Sequence, residues 1–164
     1  MKILIAIDDS PCSLFAFNSV LQRTWPAGTE FKVLSMVEPL ISHYDFASAY
    51  PIESMLEAEK QRIKHAEGMV AEKVANLKAV AGADCVSGCV VEGSAPEGIV
   101  QKACKWGADL IVVGSHGRKG LKKFMLGSVA EKVVVNAPCS VEIVKDNHKH
   151  ADLVEEKMSA ATKS

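Results

Sequence analysis

The chain has 164 residues, of which 48% are hydrophobic and 5% aromatic, and its formal charge is -1 at pH 7. That length suits one domain with a two- or three-layer core. The near-neutral balance excludes a general field for nucleic acid or an anionic membrane, and only Arg118, Lys119, Lys122 and Lys123 form a local basic run. No apolar tract approaches the ~20 residues that span a bilayer. The opening stretch 1-MKILIAID-8 has no cleavage site of small residues, so the expected location is cytoplasmic. Five cysteines, with no Cys-x-x-Cys pair, read as reduced thiols rather than a disulfide framework.

Apolar β-branched runs alternate with helical patterns, which predicts an α/β protein with a parallel sheet covered by helices on both faces. A first strand spans 2-KILIAID-8. Ser10 then caps a helix that takes Pro11 in its first turn and turns Leu14, Phe17, Val20 and Leu21 inward. The second strand is 31-FKVLSMV-37, followed by a long connection over 38–51 of the kind that often carries function.

From Ile52 to about Leu77 the apolar residues Met55, Leu56, Ile63, Ala66, Met69, Val70 and Val74 recur at helical spacing, predicting a long amphipathic crossover helix. A third strand is expected around 84–92, with Cys85 and Cys89 on one of its faces. The pattern 94-SAPE-97 has the form of a reciprocal cap for the next helix, which buries Ile99, Val100 and Ala103 and stops near Gly107. The fourth strand, 109-DLIVVG-114, is apolar enough to be covered on both faces.

The stretch 114-GSHGRKGLKKFMLGS-128 follows that strand and precedes 128-SVAE-131, a second capping pattern that makes Ser128 the expected cap of a helix reaching Asn136. Ala130, Val133, Val134 and Ala137 set its buried face, and Pro138 prevents its continuation. A short strand, 141–145, closes the domain at residue 145, and the polar segment 146–164 reads as a tail.

A strand that feeds through a glycine-rich loop into a helix N-terminus is built to hold phosphate, because free N–H groups and the helix dipole both face the anion. Glycine also lets the backbone approach the ligand closely. Neither G-x4-G-K-[ST] nor G-x-G-x-x-G occurs here, so a Walker-type NTPase and a dinucleotide fold are not indicated. What stands there is Gly114-x2-Gly117-x9-Gly127-Ser128.

That pattern resembles the ATP-binding branch of the universal stress protein family, whose signature is G-x2-G-x9-G-[ST]. The likeness runs over about residues 1–145: Asp8, Ser10 and Ser13 resemble the family's D-x-S-x-x-S, and 108-ADLIVVGSHG-117 and 137-APCSVEIVK-145 resemble its later strand blocks. The resemblance implies five parallel strands in the order 3-2-1-4-5, with ATP at the carboxyl ends of strands one and four. In such an order the winding direction reverses between those two strands, where doubly wound sheets bind ligands.

On that basis Asp8 would accept ribose hydroxyls, Ile7 would offer backbone groups to the base edge, and Val37 and Val113 would line an adenine slot. Gly114, Gly117, Gly127, Ser128 and Val129 would surround the phosphates, with Mg²⁺ sharing their charge. Duller readings stay open: Asp8 as a strand-end turn residue, Ser128 as a cap, the valines as core. His116 reads as a solvated loop histidine, and Arg118 with its lysines as a solvated face that can steer an anion. Met36 stands where the family commonly has histidine, and Ser140 where proline usually follows Ala-Pro-Cys.

The implied function is that of a homodimeric, nucleotide-dependent sensor or regulator in stress response, with strand 141–145 pairing across a twofold axis. Two other classes compete. One is a slow ATP hydrolase or adenylating enzyme of a related fold, against which stands the lack of a paired acid and base near the loop. The other is an interaction module whose nucleotide is incidental.

Overall fold

The computed structural model describes residues 1–39, 52–117 and 126–145. In chain order these form β1 (Lys2–Ile7), α1 (Pro11–Leu21), β2 (Glu30–Val37), α2 (Ile52–Ala81), a 3-10 turn (Ala83–Cys85), β3 (Val86–Glu92), α3 (Ala95–Trp106), β4 (Leu110–Gly114), α4 (Ser128–Asn136) and β5 (Ser140–Val144). All strand pairs are parallel and their order is β3-β2-β1-β4-β5. This is the expected doubly wound sheet. Its winding reverses between β1 and β4, and the carboxyl ends of those two strands flank the crevice where such sheets bind ligands.

The pleat sorts β1 between two cores. Ile3, Ile5 and Ile7 pack with Phe17 and Val20 of α1 and Val70 and Leu77 of α2. Leu4 turns the other way and joins Leu34, Ile111 and Val113 against Ile99 and Ala103 of α3 and Ala130 and Val133 of α4. Burial on both faces is why these strands read as unbroken apolar runs. Gly107 ends α3 in the left-handed conformation, φ 68°, where a side chain would be strained.

Several local expectations are corrected. Leu14, Leu56 and Val134 satisfy helical spacing but are each 45–47% exposed, because α1, α2 and α4 bury narrower stripes than the full apolar set. Cys85 lies in the 3-10 turn and Cys89 in β3, so the two share no strand face. Ser94 is the N-cap residue of α3, yet its side chain makes no capping bond. The N-cap of α4 is Gly127, which leaves Ser128 as the first helical residue. Val133 to Val135 are helical, as the spacing requires against their β propensity.

Candidate functional site

Asp8 follows the last residue of β1, and its surroundings are built by the start of α1. Ser10 N–H (3.0 Å) and Ser10 Oγ–H (2.5 Å) both donate to Asp8 Oδ1. Ser10 Oγ in turn accepts from Ser13 N–H at 3.2 Å, capping α1, while Asp8 N–H donates to Ser13 Oγ at 2.8 Å. The D-x-S-x-x-S residues therefore form one closed set of bonds. With Oδ1 occupied, Oδ2 is the carboxylate oxygen that faces Gly117, where a β-carbon would stand 3.2 Å away.

The two ends of the glycine segment are tied together. Gly127 N–H donates to Ser115 O at 2.9 Å, and Ser115 N–H to Val144 O at 2.8 Å, so Ser115 and Gly127 stand side by side next to β5. A β-carbon on Gly127 would lie 3.1 Å from both His116 Cα and Ser115 O. Gly114 is closer still to its neighbours: its β-carbon would come within 2.7–2.8 Å of Cys12 C, Cys12 O and Ser13 N. Glycine at 114 thus serves the contact between β4 and the first turn of α1. Arg118, Lys119, Lys122 and Lys123 fall outside the described residues, as do 40–51 and the tail.

At the crevice lies a cavity of about 500 Å³, lined among others by Ile7, Asp8, Ser10, Ser13, Val113, Gly114, Gly117, Gly127, Ser128 and Val129. Every residue expected at a ligand lines it except Val37. That side chain instead lines a neighbouring recess of about 370 Å³ under α2. Asp8, Met36 and Arg62 border both spaces, so the two adjoin.

The first turns of α1, α3 and α4 converge here through Ser10 and Ser13, Ala95, and Ser128 to Ala130. Ser10 caps α1, but among the described residues neither α3 nor α4 has a side-chain capping bond. Their leading N–H groups keep the partial positive charge of an open helix start. With Ser128 inside the helix, its N–H and hydroxyl both belong to that donor set.

Among the other lining residues, Met36, Arg62 and His116 were given no ligand role by the sequence. Met36 closes the cavity from β2. Arg62 reaches it from the crossover helix, where Nη1–H donates to Glu38 O at 2.8 Å. His116 was expected to be solvated, but its Nε2 is buried and has no hydrogen-bond partner among the described residues, while Nδ1 lies 3.1 Å from Ser115 Oγ. A buried polar atom without a partner costs ~1–3 kcal/mol, so this one calls for a reason. Its place between Gly114 and Gly117 was the available signal.

The defining pattern of the Universal stress protein family matches residues 1–145, a span that takes in every described residue. This chain belongs to that family. Universal stress protein MJ0531 of Methanocaldococcus jannaschii is 33% identical over 146 residues, covering 88% of this chain and 81% of the relative. Among solved structures, the universal stress protein UspA from Lactobacillus plantarum superimposes with a TM-score of 0.74 at 21% identity, over 88% of this chain and 97% of that one. The universal stress protein from Archaeoglobus fulgidus, solved in complex with dAMP, gives 0.56 at 21% identity over 88% and 98%. At those identities the two structures speak for the fold.

As a universal stress protein, the chain offers its crevice an acceptor carboxylate at β1, apolar walls from β2 and β4, and donors at α4. Such a cavity can take a molecule with hydroxyls, an apolar plane and an anionic end. Among the described residues no group of three or more His, Cys, Asp or Glu could hold a metal, and no helix is long and apolar enough to cross a membrane.

Proposed function

We propose that this universal stress protein binds ATP in the crevice between β1 and β4 and acts in the cytoplasm as a homodimeric, nucleotide-dependent regulator. One observation carries the reading: Asp8, the Gly114–Gly117 turn and the open start of α4 at Gly127–Ser128 meet in one cavity at the sheet's switch point. Its volume falls within the ~300–1,000 Å³ usual for ligand sites. That a related protein of the same fold was solved with dAMP supports an adenine nucleotide.

In this reading Asp8 Oδ2 takes a ribose hydroxyl, and Ile7 and Val113 border the base. Val37 backs the base from the adjoining recess, with Met36 between them. Gly114, Gly117, Gly127, Ser128 and Val129 surround the phosphates, mostly through backbone N–H groups. Mg²⁺ would come with the triphosphate, held by its oxygens and water, since magnesium commonly binds with few protein ligands. Residues 1–145 make up the nucleotide domain and 146–164 an appended tail. Val141 to Lys145 is the edge through which two copies pair.

Native mass spectrometry of protein purified without added nucleotide tests the reading. Retained ATP is the expected result. Retained ADP would instead favour a slow hydrolase, and an empty protein that also takes up no added ATP would favour an interaction module.

A further inference from the structure

We infer that His116 is a phosphate-contacting residue of this site, its Nε2 reserved for an oxygen of the bound anion. The inference rests on the nucleotide reading for the ligand's identity, but its own basis is separate. His116 lines the cavity from the loop between β4 and α4, and its Nε2 is the one buried side-chain polar atom among the described residues with no partner. Buried polar groups in native proteins are almost always bonded, and a vacant one beside a binding cavity finds its partner in what binds there.

The other ring nitrogen sets which hydrogen Nε2 carries. Ser115 is 2% exposed, and its Oγ lies 3.1 Å from His116 Nδ1 and 3.7 Å from Cys12 Sγ. A hydroxyl has one proton, and the ring nitrogen is the nearer and better acceptor of the two. With Nδ1 accepting that proton, the neutral ring holds its own hydrogen at Nε2, which makes Nε2–H a donor. Protonating the ring leaves that donor in place and adds charge. Either state therefore matches an acceptor-only phosphate oxygen.

The backbone holds the ring in register with the glycine donors. Ser10 Oγ lies 3.2 Å from His116 O, and Gly127 N–H is bonded to Ser115 O one residue earlier. The backbone at Ser115 and His116 is thus bonded to the start of α4 and lies against the Asp8–Ser10 corner. His116 adds a side-chain donor, beside the Ser128 hydroxyl, to a cradle made mostly of main chain.

Calorimetric titration of wild type, His116→Phe and His116→Gln with ATP, adenosine and inorganic tripolyphosphate tests this. Glutamine places an N–H near the position of Nε2, whereas phenylalanine keeps the ring shape and removes the donor. We expect ATP and tripolyphosphate to bind about ten-fold more weakly to the Phe variant, as for one lost bond to a charged group, with most of the affinity restored by Gln. Adenosine affinity should be unchanged. Equal affinity of wild type and Phe variant for every phosphate ligand that binds would overturn the role, even with nucleotide binding intact. So would an equal loss for adenosine. Tripolyphosphate binding that follows the Phe and Gln pattern without any ATP binding would uphold His116 and refute the nucleotide reading. Failure of wild type to bind all three overturns both.

Discussion

Gly117 stands so close to Asp8 that a β-carbon built on it would sit 3.2 Å from Asp8 Oδ2, in the cavity where two chain segments far apart in sequence meet. The φ of Gly117 is not positive, so a side chain here obstructs the cavity without forcing the backbone into a strained region. Valine at 117 should therefore leave the protein folded and lower ATP affinity by at least ten-fold, equivalent to ~1.4 kcal/mol. Valine at 127 would press on main-chain atoms, His116 Cα and Ser115 O at 3.1 Å, so it should lower stability as well as ATP affinity. Calorimetry on folded variants checks both, and undiminished affinity in either would remove the phosphates from this loop.

Gly114 should behave differently from its neighbours in the pattern. Its close contacts are main-chain atoms of Cys12 and Ser13, which cannot swing aside as a flexible side chain would. We expect Gly114→Ala to destabilise the fold by ~1–3 kcal/mol, the usual cost of overpacking. Gly68, inside α2 with open space around it, should gain ~0.5–1 kcal/mol when changed to alanine. Urea unfolding midpoints give the comparison, and a neutral Gly114→Ala would mean that α1 and β4 separate at little cost.

Assembly is tested at β5, which among the described residues pairs with β4 alone and so stands at a sheet edge. Two copies pairing there form an isologous contact. Light scattering at micromolar concentration should show a dimer for wild type and a monomer for Ile143→Pro. A monomeric wild type, or a folded variant that stays dimeric, assigns the interface elsewhere.

The cysteines should differ in reactivity. Burial first, and then the negative charge of Asp109, push the Cys139 thiol above its ordinary value, whereas Cys104 is exposed. Both causes disfavour the thiolate, so at a given pH Cys139 holds less of the reactive form. Iodoacetamide should modify Cys104 faster than Cys139 near pH 8, as followed by peptide mass spectrometry. Asp109→Asn should move the Cys139 pH–rate midpoint down only in part, since burial remains; no movement would discount the charge.

Much of this protein was legible in its residues because the signals were local. The apolar runs of β1, β2 and β4 follow from burial on both sheet faces, and Ser10, Gly107 and Pro138 mark helix ends by their own conformational limits. The spacing Gly114-x2-Gly117-x9-Gly127-Ser128 likewise pointed to the crevice, since a loop between strand and helix start is contiguous in the chain.

Only the tertiary structure decided the rest. Spacing shows which residues share a helix face but not how wide a stripe the neighbouring element covers, so Leu14, Leu56 and Val134 were misjudged. Nor does it tell a glycine that faces a carboxylate across the cavity from one that admits another helix, as Gly117 beside Asp8 and Gly114 beside Cys12 and Ser13 do in turn. Met36 and Arg62 reach the cavity because β2 and α2 are set beside β1 by sheet order, and Val37, on the next position of the pleat, is turned into the adjoining recess. The vacant Nε2 of His116 is the same kind of fact. Whether a polar atom has a partner depends on every segment packed around it, and that is settled when the chain folds.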